Sequence, residues 1–415
     1  MTLEPLPVGV PTTIAGSTAR ARATRTFACR WLHAGMVSLL FMAGGAPAQS
    51  VPDAAASVVH FSTLHSFAFG KDRHSGGARP RPPMQASDGN FYGVSYAGGS
   101  RDFGTIYRTK PGGSTVTVHS FQVSDGYYPE GALIEASDGN LYGVTSGGGT
   151  GASPAGTVFR FDAGGVLTTL HTFQGADGGD PGAGLVQASD GNLYGSTSGG
   201  GQFGDGTVYR IGLDGTFTVM YHFGASAYDG GRSLAPLMQT RDGRLCGTTY
   251  SGGRHGGGTV FCMTLDGQMS VVRAFGSPGD PNGSTSPLVE GDEGSLYGTS
   301  NFGGSLDQGA LFRLGPEGGI QVIDMWARPS GGLLKASDGN FYGTVFWGGQ
   351  SDKGWVYRVT PTRKVTELHS FSGPDGANPD GELVEGTDGR LYGVTEAGGT
   401  TDAGVLFGIT GKLAR

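Results

Sequence analysis

From residue 58 onward, short apolar runs alternate with turns rich in glycine, aspartate and proline. In one copy of this pattern the pair Asp138-Gly139 separates two such runs, which is a strong signal for a β-hairpin. Two more runs follow after glycine-rich turns. The strands predicted for this copy lie at residues 132–136, 141–145, 156–161 and 167–173. The pattern therefore predicts four short antiparallel strands per copy.

The hairpin recurs seven times. Its turn pairs are Asp88-Gly89, Asp138-Gly139, Asp190-Gly191, Asp242-Gly243, Glu293-Gly294, Asp338-Gly339 and Asp388-Gly389. They are spaced by 50, 52, 52, 51, 45 and 50 residues, in the size range of kelch-type propeller blades. One four-stranded sheet cannot bury both of its apolar faces, so the copies must stack on one another. The sequence thus predicts an all-β, seven-bladed β-propeller of four-stranded antiparallel blades.

The chain ends predict how the ring closes. Several complete copies finish with a Leu-His-x-Phe strand, but the seventh copy has only three strands and ends at residues 405–407. Residues 58–67, with the sequence Leu64-His65-Ser66-Phe67, precede the first copy and have no strands of their own to join. We expect them to complete blade 7 beside residues 404–410. An open solenoid, the alternative, would leave 58–67 unpaired.

The first 48 residues have the order of a secretory signal peptide. Four arginines precede an apolar run at 36–43, and small residues follow at Ala46-Pro47-Ala48. The run is shorter than the ~20 residues that cross a bilayer as a helix. We therefore predict a signal peptide at 1–48, a short linker at 49–57, a single propeller at 58–415, and a secreted or periplasmic location.

Charge limits the partners. Removal of the leader takes away four arginines and one glutamate, which moves the formal net charge from −7 to −10. An acidic surface opposes binding to nucleic acid and to anionic membranes. We expect a monomer with no nucleic-acid partner and no membrane span in the mature chain.

The repeated motifs resemble those of the GloVer (Gloeo/Verruco) tandem-repeat family. They are Gly-Thr-Val-Phe-Arg, Leu-His-x-Phe, Asp-Gly with a following Pro, and Ser-Asp-Gly-Asn-Leu-Tyr-Gly-x-Thr, and they cover residues 58 to 410. The resemblance implies an exported bacterial protein, often with a surface anchor. No anchor is recognisable in this chain, which favours free secretion or the periplasm. The resemblance supports the fold and assigns no activity.

Two cysteines replace a recurring pair. Cys246 takes the place of Tyr92, Tyr142, Tyr194, Tyr297, Tyr342 and Tyr392, and Cys262 takes the place of Arg108, Arg160, Arg210, Arg313 and Arg358. The Tyr and Arg are predicted to stack across two strands as a cation–π pair. The joint replacement indicates a disulfide between Cys246 and Cys262 in an oxidising compartment. Two unbonded buried thiols are the alternative.

Several aromatic residues depart from the repeat. They lie where the connections between blades and the loops between second and third strands share one face of a propeller. The candidates for ligand binding are Tyr127, Tyr128, Tyr228, Tyr250, Trp326 and Trp347. Flat aromatic surfaces beside hydroxyl and carboxylate groups suit sugar rings and protein contacts.

Two polar series recur. Asp125, Asp177, Asp229, Asp280 and Asp375 lie in the connections between blades. We interpret them as local turn residues, with a calcium site as the less favoured alternative, and expect no other cofactor. Gln85, Glu135, Gln187, Gln239, Glu290, Lys335 and Glu385 end the first strands. We expect these to accept hydrogen bonds from the repeated arginines.

Two functions remain. The first is an exported, non-catalytic binding module that recognises glycan or protein on the loop face. The alternative is an extracellular carbohydrate-active enzyme, a hydrolase or lyase. An enzyme should show a cluster of reactive side chains that interrupts the repeat and converges on the central opening. The copies are too uniform for that, so the sequence favours binding and nominates no catalytic residue.

Overall fold

A computed structural model describes residues 59–68, 76–112, 114–325 and 328–411. The predicted signal peptide and linker lie outside these residues. In the described part every regular element is a β-strand, and the strands form seven four-stranded antiparallel blades of a β-propeller. The fold predicted from the repeat is confirmed. Nothing helical in the described residues has the length and apolar character needed to cross a bilayer.

The strands are numbered within each blade from the central channel outward. The first strands are Met84–Gln85, the end of Tyr127–Glu135, Val186–Gln187, Met238–Gln239, Val289–Glu290, Leu334–Lys335 and Val384–Glu385. The second strands are Phe91–Gly98, Leu141–Gly147, Leu193–Ser196, Leu245–Thr249, Leu296–Ser300, Phe341–Val345 and Leu391–Ala397. The third strands are Thr105–Thr109, Thr157–Phe161, Thr207–Ile211, Thr259–Met263, Ala310–Leu314, Trp355–Val359 and Val405–Thr410. The fourth strands are Thr115–Ser120, Leu167–Thr172, Phe217–His222, Met269–Ala274, Ile320–Asp324, Val365–Ser370 and, for blade 7, His60–Ser66.

Six shorter strands lie in the connections between blades and in the loops between second and third strands. They are Gly77–Pro80, Gly230–Gly231, Ser251–Gly252, Pro281–Asn282, Phe302–Gly303 and Ala377–Pro379. These segments and the loops between second and third strands lie on the same side, because Gly149 N donates to Val123 O at 2.7 Å. We call this side the top face. The turns between first and second strands lie on the opposite side, the bottom face.

Local chemistry explains the hairpins. Gly139 has φ 77°, a left-handed value that glycine adopts without strain. The Asp138 carboxylate accepts hydrogen bonds from Asn140 N at 3.1 Å and from the Tyr142 hydroxyl at 2.7 Å. The turn is thereby tied to the returning strand. The next residue, Gly143, leaves room for the Phe159 ring of the third strand, since a Cβ there would lie 2.6 Å from Phe159 Cζ.

The core is divided among the contacts between neighbouring blades. The described residues form seven buried apolar clusters, and each joins two adjacent blades. Between blades 1 and 2, Phe121 and Phe159 are fully buried with ring centroids 5.3 Å apart. Burial of such a side chain contributes about 1.5–3 kcal/mol. Stability therefore depends on stacking the blades, as the repeat predicted.

The N-terminal strand closes the ring. His60–Ser66 pairs antiparallel with Val405–Thr410, with Phe61 opposite Ile409. The Phe61 ring stacks on His369 of blade 6 at 3.6 Å and packs against Phe407 at 5.4 Å. The predicted completion of blade 7 is confirmed, and the open solenoid is wrong.

The bottom face carries a ring of hydrogen bonds that differs from the prediction. The polar residue ending each first strand contacts the hairpin turn of the preceding blade, and not the repeated arginines. Ser137 N donates to Gln187 Oε1 at 2.8 Å, and Thr387 N donates to Gln85 Oε1 at 2.8 Å between blades 7 and 1. Glu135, Gln239, Glu290 and Glu385 make the same contact. In blade 6 the residue is Lys335, and it pairs with the Asp292 carboxylate of blade 5.

The cysteine prediction is confirmed. Tyr142 lies opposite Arg160, and Cys246 lies opposite Cys262 at the same register. A disulfide joins the two buried cysteines, whose Cα atoms are 4.1 Å apart. The predicted stacking of Tyr on Arg is wrong for the described pairs. The hydroxyl of Tyr142 is bonded to Asp138 instead, and the cation–π contacts of the described residues lie elsewhere.

Phe61→Ala should weaken ring closure. The change removes a half-buried aromatic side chain from a strand that is connected to the propeller at one end only. The loss of stability should be about 1–3 kcal/mol. Backbone amides of residues 405–410 should then exchange faster with deuterium. Phe217→Ala is the control, because Phe217 of blade 3 makes the same stack on His171 of blade 2 and its strand is connected at both ends. If deuterium exchange at residues 405–410 is unchanged in Phe61→Ala, Phe61 does not contribute to ring closure.

Lys335→Glu should lower the Tm, because it places a second negative charge beside Asp292. Adding Asp292→Ser should restore the Tm. Serine at this turn position donates to a glutamate in other copies, as Ser87 does to Glu135 and Ser337 to Glu385. Thermal unfolding of the two single variants and the double variant measures the coupling. If the double variant is no more stable than Lys335→Glu, the contact between residues 335 and 292 does not stabilise the bottom face as described.

Candidate functional site

A central channel opens where the first strands of all seven blades meet. It has a volume of about 230 Å³. The residues that line it lie in the segments that lead into the first strands of the blades. They are Arg81, Pro82, Glu130, Gly131, Ala132, Gly182, Leu234, Pro236, Thr285, Pro287, Ser330, Gly331, Gly332, Asp380, Gly381 and Glu382. Glycine and proline keep the channel narrow, and its charged side chains are few.

Those charges lie on one side of the channel, in blades 7, 1 and 2. The Arg81 guanidinium bridges two carboxylates: Asp380 at 2.7 Å and Glu130 at 3.0 Å. The three side chains are 14%, 31% and 20% exposed, so water reaches them from the channel. This arrangement links three blades and leaves carboxylate oxygens facing the opening.

Two channel carboxyls have altered acidity. Burial raises the pKa of Glu382 to about 7. Burial also raises the pKa of Glu130 to about 7, although the charge of Arg81 opposes the shift. Glu382 lies against Gly332 and has no hydrogen-bond partner among the described residues. At neutral pH the channel therefore holds groups that can bind or release a proton.

At three positions of the repeat, on and below the top face, the side chain differs from blade to blade. The first holds Tyr96, Ser146, Ser198, Tyr250, Asn301, Phe346 and Glu396. The second holds Arg79, Tyr128, Asp180, Arg232, Gly283, Arg328 and Asn378. The third holds Arg81, Glu130, Gly182, Leu234, Thr285, Ser330 and Asp380. We call these the variable positions.

The backbone at the second variable position is nearly constant. Its φ is 54° at Arg79, 57° at Tyr128, 53° at Asp180, 56° at Arg232, 62° at Gly283 and 56° at Asn378. Its N–H donates to the loop of the preceding blade, as Tyr128 N does to Phe103 O at 2.9 Å. A left-handed backbone costs on the order of 1 kcal/mol in a non-glycine residue. The scaffold thus holds the same strained geometry while the side chains change.

Two of the predicted aromatic residues belong to one cluster. Tyr128 stacks on Tyr96 with ring centroids 4.6 Å apart and planes 10° from parallel, and Tyr127 packs edge-on against Tyr128 at 5.0 Å. The Arg81 guanidinium lies 5.2 Å from the centre of the Tyr96 ring. The cluster therefore connects the top face to the charged side of the channel.

The other predicted aromatics are spread over the same face. Tyr250 lies 5.6 Å from the Arg232 guanidinium. Tyr228, in the connection after blade 3, is 68% exposed. Trp347, in a loop of blade 6, is 54% exposed and packs edge-on against Phe346 at 4.9 Å. Trp326 lies outside the described residues.

The five aspartates of the connections do not converge. Asp125, Asp177 and Asp375 each contact a histidine of the preceding fourth strand, at 3.2, 2.9 and 2.8 Å. Asp229 accepts from the Tyr221 hydroxyl at 3.0 Å, and Asp280 pairs with Arg273 at 2.9 Å. Each carboxylate is therefore bonded to the fourth strand that leads into its own connection. The described residues contain no group of three or more His, Cys, Asp or Glu side chains placed to hold a metal ion.

Comparison with known proteins assigns the family. Residues 52–224, 150–327 and 324–414 each match the Gloeobacter/Verrucomicrobia repeat. The chain belongs to this family. None of the curated proteins matches the chain in sequence.

Solved structures similar to this repeat protein share its fold. A streptogramin B lyase has a TM-score of 0.58 at 15% identity, over 85% of this chain and 98% of that one. Virginiamycin B lyase from Staphylococcus aureus has a TM-score of 0.59 at 14% identity, over 86% and 99%. The extracellular domain of a B. thetaiotaomicron protein assigned as a one-component system has a TM-score of 0.55 at 12% identity, over 83% and 40%. At these identities the likeness shows the fold alone.

Sequence reasoning missed Tyr96, Arg81, Glu130, Asp380 and Glu382. A signal for the first four was present in this repeat protein, since they lie at positions where the aligned copies carry different side chains. Glu382 also stands where other copies have Ala132, Gly184 or Pro236. The predicted aromatic residues lie at the periphery of the site, and the residues that were missed form its charged centre.

Glu382→Gln should stabilise the protein at alkaline pH. The pKa of Glu382 is raised from 4.5 to about 7, so its contribution to stability is complete below pH 4.5 and is lost as pH rises through 7. A neutral amide avoids this loss. We expect a gain on the order of 1–2 kcal/mol at pH 8 and none at pH 4, the partial exposure keeping it below 1.36 kcal/mol per pKa unit. Thermal unfolding at both pH values measures it. Exposed Glu317→Gln is the control, and an equal gain at pH 4 would contradict the assignment.

Proposed function

We propose that this protein is exported and binds carbohydrate, without turning it over, on the top face at the mouth of the central channel. One observation carries the proposal. The variable positions change their side chains while the blade backbone and the bottom-face turns repeat. Function in rigid scaffolds is usually carried by such loop positions.

The side chains at the mouth suit a sugar. A stacked pair, Tyr96 and Tyr128, presents aromatic surface, and sugar rings pack their C–H faces on such surfaces. Glu130 and Asp380 add carboxylate oxygens that accept hydrogen bonds from hydroxyl groups. Because stacking and the Arg81 bridges already fix these side chains, binding would cost little conformational entropy.

Export is supported by two features. The disulfide between Cys246 and Cys262 belongs to an oxidising compartment. The leader at 1–48 has the order of a signal peptide. Together they favour a secreted or periplasmic protein.

An extracellular hydrolase or lyase is the second candidate. A carboxyl with a pKa of about 7 is suited to general acid catalysis, and Glu130 and Glu382 both have one. Arg81 already engages Glu130 and Asp380, which favours a binding role for two of the three carboxyls. The similar lyase structures support this candidate only through their shared fold.

A glycan array, followed by calorimetry on the saccharides retained, tests the proposal. Tyr128→Ala should weaken binding roughly tenfold, which corresponds to about 1.4 kcal/mol. Val166→Ala, at an exposed residue in a bottom-face turn, should bind like the unaltered protein. If the unaltered protein releases oligosaccharide and Glu130→Gln or Glu382→Gln does not, the protein is a hydrolase or lyase and the proposal of a non-catalytic binding module is wrong. Binding that is insensitive to Tyr128→Ala would remove the proposed site.

A further inference from the structure

We propose that a cavity between blades 5 and 6 binds a small carboxylate with an apolar body, such as an arylacetate. The cavity lies beside the bottom-face turns of both blades and has a volume of about 280 Å³. It is separate from the mouth of the central channel. This inference therefore goes beyond the proposed carbohydrate binding and does not depend on it.

The cavity lies where blade 5 lacks one residue. In the six other blades the fourth strand contains a β-bulge, whose extra residue is apolar and packs between neighbouring blades. These residues are Leu64, Val118, Leu170, Met220, Val272 and Leu368. The fourth strand of blade 5, Ile320–Asp324, pairs with the third strand without a bulge. One residue of the short 45-residue spacing is therefore lost here, and with it an apolar side chain.

A second departure from the repeat lies in the facing turn of blade 6. Where the bulge is present, its residue lies against a left-handed glycine of the next blade. A Cβ on Gly215 would lie 3.9 Å from Leu170 Cδ2, and one on Gly267 would lie 3.6 Å from Met220 Cε. Blade 6 has Arg363 at this turn position, with φ 69°, a conformation that strains arginine and not glycine. The Arg363 side chain is exposed, so it lines the cavity without filling it.

The hairpin of blade 5 contributes polar groups to the same cavity. Its turn has Glu293 where the other copies have aspartate, and this longer side chain pairs with Arg313 at 3.3 Å. The hydroxyl of Tyr297, whose counterparts bond to the turn aspartate, has no hydrogen-bond partner among the described residues. Ser295 is buried, and its Oγ also lacks a partner in the described part of the chain. Both residues line the cavity, and a few polar groups in an apolar cavity are typical of a ligand site.

The walls and the charges of the cavity select the ligand. The apolar walls come from both blades: Leu311, Ile323, Phe341, Val359 and Pro361. Each carboxylate at the rim already has a cation, since Asp292 pairs with Lys335 and Glu293 with Arg313. Arg363 has no carboxylate within 4.0 Å among the described residues. A guanidinium binds a carboxylate through two parallel N–H donors, so an apolar body with a carboxylate directed at Arg363 fits both features.

Calorimetry with two probes, phenylacetate and the uncharged phenylacetamide, tests the proposal on the full chain. Phenylacetate should bind at least tenfold more tightly, and its advantage should shrink as salt is raised. Arg363→Gly should remove this advantage without lowering the Tm, because glycine stands at this turn position in blades 2 to 5. Lys364→Gln is the control, since it removes one positive charge from an exposed neighbour that does not line the cavity. It should keep the advantage of phenylacetate.

A variant that fills the cavity gives a second readout. Val359→Phe should abolish binding of both probes, and phenylalanine already occupies the equivalent strand position at Phe161. Equal affinity for the two probes, no binding of either at millimolar concentration, or full affinity in Val359→Phe would overturn the proposal. If Arg363→Gly lowers the Tm and keeps the advantage of phenylacetate, the arginine only supports the turn and the proposal is also wrong.

Discussion

Closure of the ring is the constraint on which this structure depends. Each blade has two apolar faces and can bury them only against neighbours. An arc of seven blades would leave one such face open at either end. The strand His60–Ser66 removes that exposure, because it adds the outermost strand to a sheet made by the other end of the chain. The contact between blades 7 and 1, with Phe67 packed against Tyr107 at 5.0 Å, then resembles those elsewhere in the ring.

The sequence was sufficient for the architecture because its signals are local. Turn pairs such as Asp138-Gly139 specify hairpins from adjacent residues, and the register they impose also places Cys246 opposite Cys262. The repeat count and the incomplete seventh copy then specify closure. Contacts between blades were harder to derive. Gln187 was expected to accept from one of the repeated arginines, but its acceptor oxygen meets Ser137 N, 50 residues away.

The candidate site was recovered only in part for a related reason. Tyr127 and Tyr128 stood out as aromatic departures from the repeat. Arg81, Glu130 and Asp380 acquire their meaning from one another, since they come from three blades and from opposite ends of the chain. No spacing rule brings residues 81 and 380 together until the ring is closed. The variability of aligned positions, and not residue type, is the sequence property that would have pointed to them.

The contact between Lys335 and Asp292 has a consequence for assembly order. Near-identical modules in one polypeptide risk docking with the wrong neighbour during folding. At this boundary the usual acceptor is exchanged for a cation and the usual serine for an acid, so blade 6 fits blade 5 better than it fits any copy with serine at that turn. This charge pair distinguishes the contact between blades 5 and 6 from the other contacts of the ring, and it favours correct docking of these two blades.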